Sequence, residues 1–103
     1  MAQFDVHRTR GDAARLAPFI VVMQCDFLSQ LASVVVAPMR PAAMHGERLE
    51  RLQVEVSYDG EPHVVAPEQV ISLPRSLLGK SSGSVANARQ PLLAALDFMF
   101  VGF

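Results

Sequence analysis

The sequence has 103 residues, of which 50% are hydrophobic and 18% are charged, and its nine basic and ten acidic side chains leave a formal charge of −1. This balance excludes a protein that binds a polyanion through bulk charge, and the apolar fraction excludes a disordered chain. The longest apolar runs are too short to cross a membrane. We therefore expect a single domain over residues 1–103 that binds no membrane and makes no direct contact with nucleic acid.

The one cysteine, Cys25, excludes an intramolecular disulfide. The first residues lack the basic start and apolar core of a signal peptide, so a cytoplasmic location is expected. Cys25 lies within an apolar strand pattern. It is therefore predicted to be a small buried hydrophobe and not a nucleophile.

Apolar and polar residues alternate from Phe4 onward. This pattern predicts a strand that ends near Arg8, with Phe4 and Val6 on its buried face and His7 on its polar face. Residues 8–15 are polar and contain glycine, which is typical of a loop.

Prolines bound the next two predicted strands. Because proline has no backbone donor, the strand after Pro18 is placed over residues 19–25. The β-branched run 33–37 predicts a third strand that stops at Pro38. Residues 40–51 fit neither period and are interpreted as an exposed irregular connection.

The clearest local signal is a hairpin. Residues 52–58 alternate between apolar and polar, and Asp59-Gly60 is a strong two-residue turn signal before the next apolar run, 62–66.

Two shorter features follow the hairpin. Residues 70–73 predict another strand, which Pro74 ends. Residues 80–84 are small and polar and are interpreted as a flexible linker within the domain.

The C-terminal segment has helical periodicity, with apolar residues at positions 92, 93, 96, 99, 100 and 103. Asn87 is the predicted N-cap, and Pro91 is tolerated in the first turn, where amide donors have no intrahelical partner. Asp97 is the only charge from Leu92 to the end, so the helix is apolar nearly all round. We infer that one side packs on the sheet and the other on a second subunit.

The histidines and acidic residues are not spaced as a metal site or a catalytic acid–base pair requires. The three histidines stand far apart, in three different elements: His7, His45 and His63. The acidic residues of the predicted strands should face water: Asp5, Glu55 and Glu61. No metal, no cofactor and no general acid–base pair is therefore expected.

Six arginines fall in two predicted loops: Arg8, Arg10, Arg15, Arg40, Arg48 and Arg51. Three acidic residues interleave with them, namely Asp12, Glu47 and Glu50. The mixture favours solubilising loops over a nucleic-acid surface.

The last seven residues, Asp97-Phe-Met-Phe-Val-Gly-Phe103, hold three aromatic rings and a methionine. Chain ends are usually polar, so we expect these apolar side chains to be covered by the core or by a partner. Gly102 lets the backbone leave the helix, and Phe103 carries both a ring and the chain carboxylate. This combination suits the docking of a partner.

Several short motifs occur in the same order and spacing as in the CcdB family of toxins from bacterial toxin–antitoxin modules. They are Gln3-Phe4-x-Val6, Gln24-x-Asp26, Pro38 after a β-branched run, Leu73-Pro74-x-Ser76-x-x-Gly79, and Met99-Phe100-x-Gly102 followed by one apolar residue. The sequence resembles that family over nearly its whole length.

The resemblance implies a mainly β fold, a small SH3-like barrel with a C-terminal α-helix, that forms a homodimer without catalytic activity. Family members poison DNA gyrase by trapping the enzyme with cleaved DNA, and a cognate antitoxin of the CcdA type removes them. By position, the implied gyrase-binding residues are Val101, Gly102, Phe103, Asp97, Arg89 and Phe27.

Val101 stands where the family has a tryptophan that stacks on an arginine of gyrase, so we expect a contact weaker by about tenfold or more. Arg89 replaces a family acid, and Asp97 replaces an asparagine. Two alternatives remain open: an mRNA-cleaving toxin of the same barrel fold, and a non-toxic homologue that only binds antitoxin.

Overall fold

The computed structural model describes residues 2–15, 17–28 and 30–102. Within these residues seven strands form one antiparallel sheet: β1 (Asp5–Arg8), β2 (Phe19–Val22), β3 (Ser33–Pro41), β4 (Val54–Tyr58), β5 (Glu61–Val65), β6 (Ile71–Pro74) and β7 (Gly83–Ser84). The α-helices are the single turn α1 (Ala42–His45) and the C-terminal α2 (Arg89–Val101). Short 3₁₀ helices cover Gly11–Arg15, Asp26–Leu28, Pro67–Gln69, Arg75–Leu77 and Ala86–Ala88.

The sheet follows the order β4-β5-β3-β2-β1-β7, with β6 also paired to β3. Strand β3 is long enough to pair with β6 through its first half and with β5 through its second. The two ends of the sheet meet where the Tyr58 hydroxyl on β4 donates to the carbonyl of Ser82, next to β7, at 3.0 Å. The sheet thus curls into a half-barrel, and the predicted mainly β barrel with a C-terminal helix is confirmed.

Two hydrophobic clusters lie on opposite faces of the sheet, because consecutive strand residues point to opposite sides. The main core joins the sheet to α2 and contains Phe4, Val6, Val21, Met39, Val65, Leu92 and Ala95, among others. The second cluster consists of Val22, Val34 and Val36, with Ile20, Leu73 and Leu78 packed against it. The second face is therefore apolar as well.

The first strand, the hairpin with its Asp59-Gly60 turn, and the strand before Pro74 are confirmed. His7 differs from its prediction, because the second hydrophobic cluster covers that face of the sheet. Its side chain is buried, and its Nδ1 lies 3.0 Å from the carbonyl oxygen of Gly79.

The prediction of a buried Cys25 is wrong. Strand β2 ends at Val22, so Cys25 falls in the following loop and is exposed. The apolar residues before Cys25 make the predicted strand, 19–25, longer than β2.

The predicted end of β3 at Pro38 is also wrong, since the strand continues to Pro41. Pro38 lacks a donor, but its carbonyl accepts the amide of Ala66 at 3.0 Å, so the ladder continues through the acceptor side. The predicted irregular connection 40–51 consequently begins with the end of β3 and the short helix α1.

The predicted linker 80–84 contains β7, which pairs with β1 through Asp5 and Ser84. Helix α2 begins at Arg89, and Ala88 occupies its N-cap position without a side-chain hydrogen bond, so the prediction of Asn87 as the cap is wrong. Pro91 lies in the first turn as predicted. No helix among the described residues is long and apolar enough to cross a bilayer.

Candidate functional site

The end of α2 presents apolar side chains to solvent. Phe100 is 75% exposed and Val101 is 59% exposed, whereas Leu92 and Ala95, which face the main core, are buried. Gly102 has φ +89°, and its amide donates to the Phe98 carbonyl at 2.9 Å, so the helix stops there in a left-handed turn. Phe103 lies outside the described residues.

The neighbouring ring, Phe98, is covered within the chain. The Arg51 guanidinium carbon lies 3.9 Å from the centre of the Phe98 ring, a cation–π contact. Arg51 also lines a cavity of about 460 Å³ between α2 and the segment before β4, and Asp97 lines it from the helix. Of the aromatic residues described at the end of α2, Phe100 is therefore the one left for a partner.

Arg89 and the segment carrying Phe27 are linked through Gln3. The Arg89 Nη1 donates to Gln3 Oε1 at 3.0 Å, while the backbone amide of Gln3 donates to Asp26 Oδ1 at 2.7 Å. Phe27 follows Asp26 in its 3₁₀ helix and is 97% exposed. These hydrogen bonds tie the start of α2, the N-terminal segment and the exposed Phe27 together.

The backbone beside Gln3 is held in an uncommon conformation. Phe4 is buried and has φ +68°, a region that bulky side chains rarely adopt and that costs on the order of 1–3 kcal/mol. Its amide donates to the Val22 carbonyl at 2.6 Å. Packing of the Phe4 ring in the main core thus maintains the turn from which Gln3 reaches Arg89.

A second surface is a groove of about 910 Å³ on the face of the sheet opposite α2. Its floor is aliphatic and includes Ile20, Val36, Pro38, Ile71 and Leu73. Four arginines lie along it, namely Arg8, Arg10, Arg15 and Arg40. The described lining includes no acidic, histidine or aromatic side chain, so the groove combines positive charge with an apolar base.

Local contacts hold these arginines in place. The Arg10 guanidinium lies against Gly79, where any side chain would collide with it. Arg40 Nη1 lies 3.2 Å from His45 Nδ1. The Arg8 guanidinium carbon lies 5.6 Å from the centre of the Phe19 ring, which packs against the main core, so the charge of Arg8 is directed toward the other face of the sheet.

The sequence predicts that these arginines are parts of two solubilising loops. The structure brings Arg40 together with Arg8, Arg10 and Arg15, but places Arg48 at the cavity beside α2. The local density of arginine in residues 8–15 was the available signal. The aliphatic floor could not be anticipated, because it requires the pairing of β6 with β3.

Metal binding finds no support in the part of the chain that the structure describes, which holds no suitably placed group of three or more His, Cys, Asp or Glu side chains. His63 instead packs edge-on against Phe19 and Tyr58, with ring centres 5.7 and 5.5 Å away.

The chain matches the family model described as CcdB protein over residues 3–102. The search of curated proteins finds no match.

Solved structures share the fold. An endoribonuclease in complex with its cognate antitoxin, from mycobacterial species, has a TM-score of 0.78 at 16% identity, covering 96% of this chain and 93% of that one. A second endoribonuclease from mycobacterial species has a TM-score of 0.75 at 18% identity, covering 96% and 89%. The Mycobacterium tuberculosis toxin MazF-mt6 has a TM-score of 0.71 at 20% identity, covering 93% and 95%. At these identities the similarity concerns the barrel fold.

Proposed function

Because the chain belongs to the CcdB family, a family of toxins from toxin–antitoxin modules, we propose that it acts as a homodimer that binds the DNA gyrase A subunit and traps the complex with cleaved DNA. This action places it in the cytoplasm, with the chromosome. The exposed end of α2 is the proposed contact surface.

The observation that carries this proposal is the exposure of Phe100 and Val101 in the last turn of a helix whose other side is buried. Large apolar side chains left in water at one place mark an interaction surface. Gly102 and Phe103 continue the same apolar segment, and we assign all four residues to the gyrase contact.

Phe100 compensates in part for the missing tryptophan at position 101. Aromatic anchors supply much of the binding free energy at protein interfaces, and the ring of Phe100 is available because no neighbour in the chain covers most of it. Asp97 is assigned a supporting contact near this anchor. Arg89 and Phe27, which Gln3 positions at the start of α2, are assigned contacts at the other end of the helix.

A gyrase cleavage assay tests the proposal. Purified protein, gyrase and supercoiled plasmid should accumulate linear DNA after denaturation of the enzyme, and a variant that lacks residues 101–103 should not. The matched control is Ile71→Ala, which shortens an exposed apolar side chain at the groove and should leave gyrase poisoning unchanged. Equal activity of the truncated variant and the full chain would place the active surface elsewhere.

The groove suits the antitoxin. We assign it to an acidic segment of the cognate antitoxin, whose carboxylates pair with Arg10 and Arg15 while its aliphatic side chains contact the floor. The absence of aromatic rings in the described lining supports a peptide over single-stranded RNA, whose bases stack on aromatic side chains.

A second candidate function is ribonuclease activity. The basic groove and the fold shared with endoribonucleases favour it, whereas the described lining offers no carboxylate or imidazole for acid–base catalysis. Incubation with RNA decides between the two functions. An RNase should cleave RNA and lose activity in Arg8→Ala and Arg10→Ala, while a gyrase poison should leave RNA intact.

A further inference from the structure

The protonation state of His45 follows from the groups that surround it. Gln53 is buried, and its Oε1 accepts the amide of Leu49 at 2.8 Å while its Nε2 donates to Glu68 Oε2 at 2.6 Å. This orientation of the amide leaves Gln53 Oε1 as an acceptor for His45 Nε2, also at 2.8 Å. His45 Nε2 therefore carries a proton.

The other ring nitrogen of His45 faces a group that can only donate. Arg40 Nη1 lies 3.2 Å from His45 Nδ1, and a guanidinium has no acceptor. His45 Nδ1 must then present its lone pair, so the imidazole is neutral. A second proton on the ring would point at the guanidinium and set two positive charges against each other.

Arg40 is poised between this contact and the groove. It lines the groove, and its Nε is buried without a hydrogen-bond partner. An unpaired buried donor destabilises the arrangement. The contact with a neutral imidazole is thus the hydrogen bond that holds the Arg40 guanidinium.

We propose that His45 is a pH-sensitive positioning residue for the groove: its neutral form holds Arg40 back, and its protonation releases Arg40 to bind the carboxylates of an acidic peptide segment. The proposal rests on the assignment of the groove to the antitoxin. It concerns binding alone and is independent of any action on gyrase.

The charged groups around His45 support the release of Arg40 on protonation of the imidazole. Helix α1 packs against β3, which supplies Arg40, and against β5, which carries Glu61 and His63. His63 Nδ1 lies 3.1 Å from the carbonyl oxygen of Glu61, and its ring packs on Phe19 and Tyr58.

On the remaining side, Arg48 Nη1 donates to the Gln53 carbonyl at 2.7 Å, and the Glu68 carboxylate is already bonded to Gln53 Nε2. No described carboxylate contacts the imidazole directly, so a protonated His45 has Arg40 as its nearest charged neighbour. Arg40 is the group that must move.

Fluorescence anisotropy with the full-length protein tests the proposal. The probe is a short rhodamine-labelled peptide of alternating glutamate and leucine, whose carboxylates stay ionised above about pH 5.5. Between about pH 8 and pH 5.5, the range in which histidines change charge, the wild-type affinity for the peptide should rise roughly tenfold.

Three variants separate release of Arg40 from a general gain of positive charge. His45→Gln can accept from Arg40 and donate to Gln53 but cannot be protonated, so it should bind like the wild type at pH 8 and gain nothing on acidification. Arg40→Gln should also match the wild type at pH 8 and lose the gain at acidic pH. Arg15→Gln, the matched rim control, should bind more weakly at both pH values and keep the gain.

The proposal is overturned if Arg40→Gln keeps the wild-type gain, because His45 charge alone would then explain it. It is equally overturned if Arg40→Gln weakens binding at pH 8 as much as Arg15→Gln does, or if the wild-type affinity is independent of pH. Absence of peptide binding at every pH would reject the antitoxin assignment of the groove together with the proposal. Circular dichroism of each variant at both pH values checks that the fold is retained.

Discussion

The end of α2 and the arginine-lined groove are both exposed surfaces with apolar character, but they are built in opposite ways. The helix end takes its apolar side chains from consecutive residues, with Phe100 and Val101 uncovered. The groove takes its floor from strands β2, β3 and β6 and its positive charge from Arg10, Arg15 and Arg40, which belong to segments far apart in the sequence. A local segment therefore makes the first surface and the tertiary structure makes the second.

This difference sets what each surface can recognise. An aromatic anchor binds by burying apolar area, which depends little on salt. Arginines around a groove attract carboxylates through charge, which salt screens. Variants at the two surfaces should consequently act on different partners and leave each other's partner unaffected.

The largest expected effect lies on the buried side of α2. Leu92→Ala removes a fully buried side chain from the main core and should lower the free energy of unfolding by about 2–5 kcal/mol. Phe100→Ala, on the exposed side of the same helix, should change it by less than about 0.5 kcal/mol. Urea unfolding measures both, and a large loss in Phe100→Ala would mean that its ring is structural.

The next largest effect is expected from loss of the Phe100 ring. Phe100→Ala should weaken gyrase poisoning by about tenfold or more, because truncation of a central aromatic side chain commonly costs about 2 kcal/mol of binding. The measurement is the protein concentration that gives half-maximal cleaved plasmid. Ile71→Ala serves as control, and equal potency of the two variants would contradict the role of Phe100.

An aromatic ring at position 101 should strengthen the contact between the end of α2 and gyrase. Val101→Trp adds a surface for stacking on an arginine and should raise potency toward gyrase by about tenfold. Val101→Leu adds apolar volume without a ring and should gain much less. Similar gains in both variants would show that size and not the aromatic face matters at this position.

The smallest effect is expected at the groove rim. Arg10→Gln should weaken binding of the acidic peptide by a few fold, with a smaller loss at high salt, since surface ion pairs typically contribute about 0–1 kcal/mol. Anisotropy titrations at low and high salt measure this. Phe100→Ala is the control for the opposite surface, and a loss of peptide binding in that variant would indicate that the two surfaces are not independent.

Much of the fold followed from local patterns. The Asp59-Gly60 turn and the alternation around it identified the hairpin, and the helical spacing after Leu92 identified α2. The errors at Cys25, Pro38 and Ser84 share one cause: sequence neighbours do not show where a strand begins or ends, because hydrogen bonds to distant strands decide it.

The two candidate surfaces also differ in how far the sequence predicts them. The apolar end of the chain was recognisable from its residues, because an aromatic segment beside a glycine is informative without its surroundings. The groove was not, because Arg10 and Arg40 belong to segments that only the sheet brings to one face.

The sequence by itself determined the mainly β composition, the C-terminal helix and the apolar character of its last turn, since periodicity and turn residues act over a few positions. Only the tertiary structure decided that Phe98 is covered while Phe100 is not, that the arginines line one groove, and that His45 holds Arg40. The physical reason is that exposure, clustering of charge and the direction of a hydrogen bond are properties of pairs of segments. Their separation in space is set by packing of the whole barrel.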